Sequence, residues 1–234
     1  MNRRHFLRLI VGTALVANVA WADPAAEPLK VVAFGDSTTA FRDTIAEVYS
    51  VRLEKLLRAS GVEATVVNAG IGGSHTGSIR DNDRFKIEHA RDRFEKAVRS
   101  ESPQIVVIQF GWNDSWADSN DANEPARIPL AAYRENLTYF VETLKADGVE
   151  VILMTPNPPQ STLDPLRVAR IHAYVATMRL VAARQDVPLV DIWAIYRQLP
   201  DEEADALLLD VLHPNDGGHA LVAAALSKRL LARD

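Results

Sequence analysis

The sequence predicts an α/β fold with a mainly parallel β-sheet, on the basis of three observations. Five short runs are rich in valine and isoleucine, apolar residues recur at helical spacing between these runs, and polar motifs directly follow several of them. Runs of this kind are typical of strands that are covered on both faces by helices. In chain order, the predicted strands are Lys30 to Phe34, Ala64 to Asn68, Ile105 to Phe110, Val149 to Met154 and Pro188 to Ile192.

The segments between the strands predict amphipathic helices. Their apolar residues recur every three or four positions, which places them on one helix face that packs against the sheet. A last helix is predicted from about Gly217 to Leu231. The predicted core residues of these helices are Tyr49, Leu53 and Leu56, then Tyr133, Leu137, Phe140 and Leu144, then Val168, Ile171, Val175 and Met178, and finally Val222, Leu226 and Leu230.

The first 22 residues resemble a bacterial export signal. Arg3 and Arg4 precede an apolar run from Phe6 to Ala20, and Ala20-Trp21-Ala22 matches a small-x-small cleavage pattern. Paired arginines before an apolar residue resemble the twin-arginine signal, with a general secretory signal or an uncleaved anchor as the alternatives. We therefore predict a signal peptide at residues 1–22, a single catalytic domain at residues 23–234, and a periplasmic or secreted protein.

Composition argues against several classes of function. The chain has no cysteine, so it has no disulfide, no thiol nucleophile and no thiolate metal site. Loss of residues 1–22 would leave 23 basic and 31 acidic residues, a formal net charge of −8 in place of −5. An acidic surface without a basic run disfavours nucleic acid and, after signal cleavage, a membrane as partners.

Four polar motifs occupy positions that predict one shared site. Gly35-Asp36-Ser37 follows the first strand, Asn68 to Gly73 the second and Gly111 to Asp114 the third, while Asp210 to Pro214 precedes the last helix. Open parallel sheets build their ligand sites beyond the carboxyl ends of the strands. Residues about 175 positions apart are therefore expected to meet.

The residue types in these motifs are those of a serine hydrolase. A serine hydroxyl needs a neighbouring base, which His213 can supply to Ser37. Asp210 can hold Nδ1 of that histidine and leave Nε2 for the serine, although Asp-x-x-His-Pro alone is more typical of a capped helix start. Gly73 and Asn113 can donate hydrogen bonds to the oxyanion that develops on an attacked ester.

A phosphate-binding loop is the alternative interpretation of the second motif. A Gly-x-Gly-x-x-Gly pattern that begins at Gly70 requires glycine at position 75, where the chain has His75. The sequence also lacks the histidine and cysteine clusters of metal sites. We therefore predict neither a metal nor a cofactor.

With these motifs the chain resembles the GDSL or SGNH hydrolase superfamily of serine esterases. The resemblance implies a flavodoxin-like three-layer α/β/α sandwich with a five-stranded parallel sheet. It implies a Ser37, His213 and Asp210 triad, and an oxyanion hole made by the backbone N–H groups of Ser37 and Gly73 and the side chain of Asn113. Thr38 replaces the leucine of the family name, and the Gly-Asp-Ser-Thr form is similar to carbohydrate acetylesterases.

Five further residues are candidates for contact with the substrate. Asp36, Thr38 and His75 are neighbours of the motifs, with an ordinary polar loop as the alternative interpretation of His75. Trp112 and Trp116 flank Asn113 and could stack on a sugar ring, although Trp112 fits a core position equally well.

The function expected from the sequence is hydrolysis of short acyl esters, most of all acetyl esters on carbohydrate, by a secreted enzyme. A polysaccharide O-acetyltransferase would use the same acyl-enzyme, and lysophospholipase or arylesterase activity is a further alternative. A carbohydrate-binding protein without activity is the third, since a fold does not fix function. A binding protein has no use for an aspartate-oriented histidine, which disfavours this last alternative.

Overall fold

The structure, a computed structural model, describes residues 28–119 and 124–232. Within these residues five parallel strands form one sheet in the order β2-β1-β3-β4-β5, which confirms the predicted sheet. The strands are β1 (Leu29–Gly35), β2 (Ala64–Gly70), β3 (Ile105–Gln109), β4 (Glu150–Met154) and β5 (Leu189–Val190). β5 is shorter than predicted because the Asp191 side chain caps the next helix by accepting from the Ala194 N–H.

Helices cover both faces of this sheet. Three of them span five residues or fewer and were not predicted, since so short a segment carries no readable helical period. In chain order, the helices of the described residues are α1 (Tyr49–Ala59), α2 (Ala90–Ala97), α3 (Trp112–Ser115), α4 (Leu130–Ala146), α5 (Pro165–Gln185), α6 (Ile192–Tyr196), α7 (Asp201–Asp205) and α8 (Asp216–Leu231).

Alternate strand residues divide the core into two halves. Val31 and Ala33 of β1 face α1 and α8, whereas Val32 and Phe34 face α2, α4 and α5. The result is the expected three-layer α/β/α sandwich. Two predicted core residues are wrong. Leu56 is 39% exposed, because α1 turns Leu57 inward instead, and Val168 is only partly buried and belongs to neither half of the core.

The strand order creates a crevice beside β1. The chain passes from β1 to β2 on one side and then returns to place β3 on the other side of β1. The loops that follow β1 and β3 therefore diverge, and such switch points are where open α/β sheets bind ligands. Ser37 follows β1 and Asn113 follows β3, so both residues border this crevice.

The last helix is tied to the first. Asp216, at the start of α8, accepts hydrogen bonds from the Ala46 and Glu47 N–H groups and from the Arg52 guanidinium. This connection holds the start of α8, shortly after His213, at the end of the sheet where β1 leads to Ser37. The predicted signal peptide, residues 1–22, lies outside the described residues. Among the described helices, none has the length and hydropathy needed to cross a bilayer.

Candidate active site

A continuous line of hydrogen bonds joins three of the predicted site residues. Ser37 Oγ lies 2.9 Å from His213 Nε2, and His213 Nδ1 lies 2.8 Å from Asp210 Oδ2. An ionised carboxylate only accepts, so Nδ1 carries the ring proton and Nε2 is left as the acceptor for the serine hydroxyl. In this tautomer the histidine can remove the proton from Ser37.

The turn that carries Asp210 and His213 is internally braced. Asp210 Oδ1 accepts from the backbone N–H groups of Leu212 and His213, at 3.0 and 2.9 Å. Burial alone would raise the pKa of Asp210, but these hydrogen bonds and the His213 side chain lower it below its ordinary value. Asn157, in the loop after β4, donates to the Leu212 carbonyl at 2.8 Å and holds the turn against the sheet.

The turn that presents Ser37 is packed too closely for a larger residue at its start. A Cβ atom on Gly35 would lie 2.1 Å from Thr39 Oγ1 and 2.8 Å from the Gln109 carbonyl oxygen. Asp36 closes the turn below the serine, because its carboxylate accepts from the Thr38 N–H at 2.9 Å. Burial raises the pKa of Asp36, and hydrogen bonds from Thr38 and Asn113 oppose that rise.

Gly73 has a backbone conformation that suits glycine. Its φ is +80°, and a Cβ atom there would lie 2.8 Å from the Phe85 ring. Below this loop the buried Arg93 guanidinium donates to the carbonyls of Ala69 and Gly35, the latter at 2.7 Å. Arg93 thus ties the ends of β2 and β1, which lead to Gly73 and Ser37.

Asn113 lies on the short helix α3, which begins after Gly111 at a φ of +144°. The next residue, Asp114, is buried and accepts from the Thr76 N–H at 2.9 Å and from the Thr76 hydroxyl. Burial raises the pKa of Asp114 to about 7 against the effect of these hydrogen bonds. Asp114 therefore links the loop of Gly73 to the loop of Asn113.

These loops enclose a cleft of about 430 Å³, which is within the usual size range of small-molecule sites. The cleft brings together Ser37, Gly73, Asn113 and His213. Asp210 lies behind the histidine and does not border it. Sequence reasoning missed several other residues of the cleft wall, for which neither motif nor spacing gave a signal: Arg42, Gly72, Phe85, Arg127 and Leu212.

Three of the five residues expected to contact substrate do not border the cleft. Asp36 and Thr38 are buried in the turn below Ser37, where the Thr38 N–H and hydroxyl donate to the Asp36 carboxylate. His75 is also buried, and its ring stacks on His89 with centroids 3.5 Å apart. The expectation that these three residues contact the substrate is therefore wrong. They are buried next to the motifs and stabilise the loops.

The two tryptophans do border the cleft, with different surroundings. Trp112 is only 2% exposed and belongs to the core on its other side. Trp116 is partly exposed, and the Arg167 guanidinium lies 3.9 Å from its ring centre. One face of Trp116 is thus covered by a cation, which leaves at most the other face for a ligand.

The chain is similar in sequence and in fold to several known proteins. Residues 33–221 match the model of the GDSL-like Lipase/Acylhydrolase family. The uncharacterised lipoprotein YqeF of Bacillus subtilis is 31% identical over 81% of this chain and 82% of its own. A lipase/acylhydrolase structure from Enterococcus faecalis superposes with a TM-score of 0.69 at 31% identity, over 86% of this chain and 95% of the other.

A second solved structure carries a more specific description. It is a variant of Axe2, an acetyl-xylooligosaccharide esterase from Geobacillus stearothermophilus, with a TM-score of 0.66 and 25% identity over 88% of this chain and 95% of that one. The family match and the esterase structures identify a carboxylic ester hydrolase. The chain belongs to the GDSL-like lipase/acylhydrolase family.

Proposed function

We propose that this protein is an exported serine esterase that removes short acyl groups, above all acetyl groups, from carbohydrate. The observation that carries the proposal is the line of hydrogen bonds from Ser37 through His213 to Asp210. It ends in a cleft that also contains Gly73 and Asn113, so a nucleophile, a base and oxyanion donors face one space.

The reaction follows from these positions. Ser37 Oγ attacks the ester carbonyl carbon while His213 Nε2 takes the hydroxyl proton, and Asp210 stabilises the charged ring. The oxyanion accepts from the N–H groups of Ser37 and Gly73 and from Asn113 Nδ2. His213 then gives its proton to the leaving alcohol, and water enters by the reverse path to release the acid and restore Ser37.

Two features support a sugar ester as the substrate. The cleft is of small-molecule size and has Trp116 on its wall, and a tryptophan face is a suitable surface for a sugar ring. The structure of similar fold from Geobacillus stearothermophilus is described as an acetyl-xylooligosaccharide esterase. Phe85 and Leu212 on the same wall favour a second candidate, an esterase of longer acyl chains.

The catalytic assignment is tested by substitution of the nucleophile and the base. Ser37→Ala and His213→Ala should each lower kcat/KM for p-nitrophenyl acetate at least about 1,000-fold, since the two residues act as one unit. His172→Ala provides the matched control, because His172 is an exposed histidine outside this cleft. Substantial activity of the serine variant would remove the proposed mechanism.

The substrate assignment requires a separate series. We expect kcat/KM to fall from acetyl through butyryl to octanoyl esters of p-nitrophenol, and acetylated xylooligosaccharides to be deacetylated. Each methylene that finds an apolar surface would add about 0.8 kcal/mol. A rise with chain length would therefore favour the second candidate and leave the serine mechanism intact. Transfer of acetyl to an added sugar, measured by mass spectrometry, would instead favour the acyltransferase.

Export by the twin-arginine route is proposed on the basis of residues 1–22. The relative from Bacillus subtilis is named a lipoprotein, which is compatible with export. Replacement of Arg3 and Arg4 by lysine should retain the precursor in the cytoplasm of a bacterial host, as followed by cell fractionation. Arg8→Lys makes the same charge-conserving replacement outside the pair and should leave export intact. Normal export of the paired variant would indicate a general secretory signal.

A further inference from the structure

The orientation of the Asn113 amide decides whether this residue can stabilise an oxyanion. The group has one end that accepts hydrogen bonds and one that donates them. Only the NH₂ end can donate a hydrogen bond to a negative oxygen, and the two flipped orientations of the amide have nearly the same shape. The neighbours of the amide must therefore select one of them.

Arg127 is the neighbour that makes this selection. Its Nη1 lies 3.2 Å from Asn113 Oδ1. A guanidinium has five N–H donors and no acceptor, so the reversed amide would bring N–H groups against each other. The Asn113 side chain also acts as a donor towards the buried Asp36 carboxylate, whose pKa it lowers. A donor-only group and an acceptor-only group thus hold opposite ends of one amide.

Arg127 is itself held by a carboxylate, an aromatic ring and its own backbone N–H. Asp118 Oδ1 accepts from Arg127 Nε at 3.0 Å and from Nη2 at 2.7 Å. The Phe85 ring lies 4.8 Å from the guanidinium carbon, and the Arg127 side chain is only 6% exposed. The Arg127 backbone N–H donates to the Trp116 carbonyl, which fixes this residue beside α3.

We propose that Arg127 is a positioning residue that keeps the Asn113 amide nitrogen directed at the reacting oxygen. Asn113 borders the cleft, so the N–H of Nδ2 that does not serve Asp36 is available to the reacting oxygen. Charge assistance at Oδ1 also makes this N–H a stronger donor, because linked hydrogen bonds polarise one another. The inference rests on the proposed role of Asn113 in the oxyanion hole.

A double-mutant cycle with p-nitrophenyl acetate tests the coupling. Asn113→Ala should lower kcat about 100-fold or more, the usual cost of one oxyanion donor. Arg127→Met should lower kcat about tenfold and change KM less than about twofold, since a positioning role acts on the transition state. In the Asn113→Ala background the same change should have less than about a twofold effect. Arg127→Lys, which can still donate to Oδ1, should recover most of kcat.

Arg99→Met is the matched control. Arg99 also makes two hydrogen bonds to one aspartate, Asp147, but it lies outside the cleft and should leave kcat unchanged. If Arg127→Met does not fold, Asp118→Asn loosens the same arginine with its packing retained. Its smaller loss of kcat should likewise vanish without Asn113.

Three results would overturn the inference. Losses that multiply in the double variant would mean that Arg127 acts independently of Asn113. An increase in KM with unchanged kcat would mean that Arg127 binds substrate. An unchanged kcat for Asn113→Ala would remove the oxyanion role of Asn113 as well, whereas the Ser37→Ala result would still decide the proposed serine mechanism.

Discussion

At the scale of single residues, Gly72 and Gly73 show how one backbone angle determines what a position tolerates. Gly73 has a φ of +80°, and the Phe85 ring occupies the space that a side chain at this position would need. Gly72 has no such angle, and the nearest atom to a Cβ there would be Ser37 Cβ at 4.0 Å. The two neighbouring glycines therefore form a natural comparison.

We predict that Gly73→Ala destabilises the protein by about 1 to 2 kcal/mol, because alanine strains the left-handed region. It should also lower kcat, since displacement of the loop moves the N–H group that we propose as an oxyanion donor. Gly72→Ala should keep a melting temperature close to that of the wild type. Chemical denaturation together with p-nitrophenyl acetate kinetics checks both variants. Equal stability of the two would contradict the strain argument.

At the scale of elements, Asp114 joins the loop after β2 to α3. Its side chain accepts from both the N–H and the hydroxyl of Thr76, and Asn136 on α4 donates to the same hydroxyl at 3.3 Å. The loops that carry Gly73 and Asn113 are therefore tied to each other and to α4 by direct hydrogen bonds. A change in this bond should affect both stability and catalysis.

Asp114→Ala should lower the free energy of unfolding by about 2 kcal/mol, because the buried donors of Thr76 lose their acceptor. Asp114→Asn keeps the accepting oxygen and should cost less than about 1 kcal/mol. Urea denaturation measures both, and kcat should fall in the same order. A large loss for the asparagine variant would show that the negative charge, rather than the acceptor, is what matters.

The sequence predicted the strands and the triad residues better than it predicted the side-chain contacts that hold them in place. The five strands were found because buried parallel strands are continuous apolar runs, and Ser37, Asp210 and His213 because their chemistry requires those residue types. The Leu56 prediction failed because the two adjacent leucines fit a helical period about equally well. His75 was misplaced for a different reason, since adjacency to a motif says nothing about which way a side chain turns.

Arg127 was missed altogether. Its role depends on where a loop after α3 returns to Asn113, and the separation of 14 residues carries no motif. Arg93 presents the same difficulty, because its bonds are made to backbone carbonyls of two strands. Contacts of this kind are set by tertiary packing and become visible only when the chain is folded.

At the scale of the whole molecule, buried histidines make stability depend on pH. Burial lowers the pKa of His75 and of His219 to about 4 and that of His89 in the same direction. These rings stay neutral in the fold, while in the unfolded chain they bind protons below about pH 6.5. The stability that they contribute is present above about pH 6.5 and is lost as the pH falls towards 4.

We predict that the melting temperature falls between pH 7 and pH 4.5, as measured by circular dichroism. Asp36 and Asp114 act in the opposite sense because burial raises their pKa values, to about 7 for Asp114, but these two carboxyls are outnumbered by three imidazoles. His75→Phe keeps a flat ring against His89 and removes one titrating group. It should be less stable at pH 7, and its melting temperature should fall less on acidification. An unaltered slope would mean that His75 does not contribute.

The bond between Ser37 and His213 spans 176 positions of the chain, and this separation has a consequence during synthesis. A nascent chain displays its serine early, but the base that would activate it is synthesised 176 positions later. Every incomplete product that stops before residue 213 is chemically inert under the proposed mechanism, even if its sheet has begun to form. Under the proposed mechanism, ester hydrolysis in an extract therefore counts only molecules that extend at least to His213 and have folded.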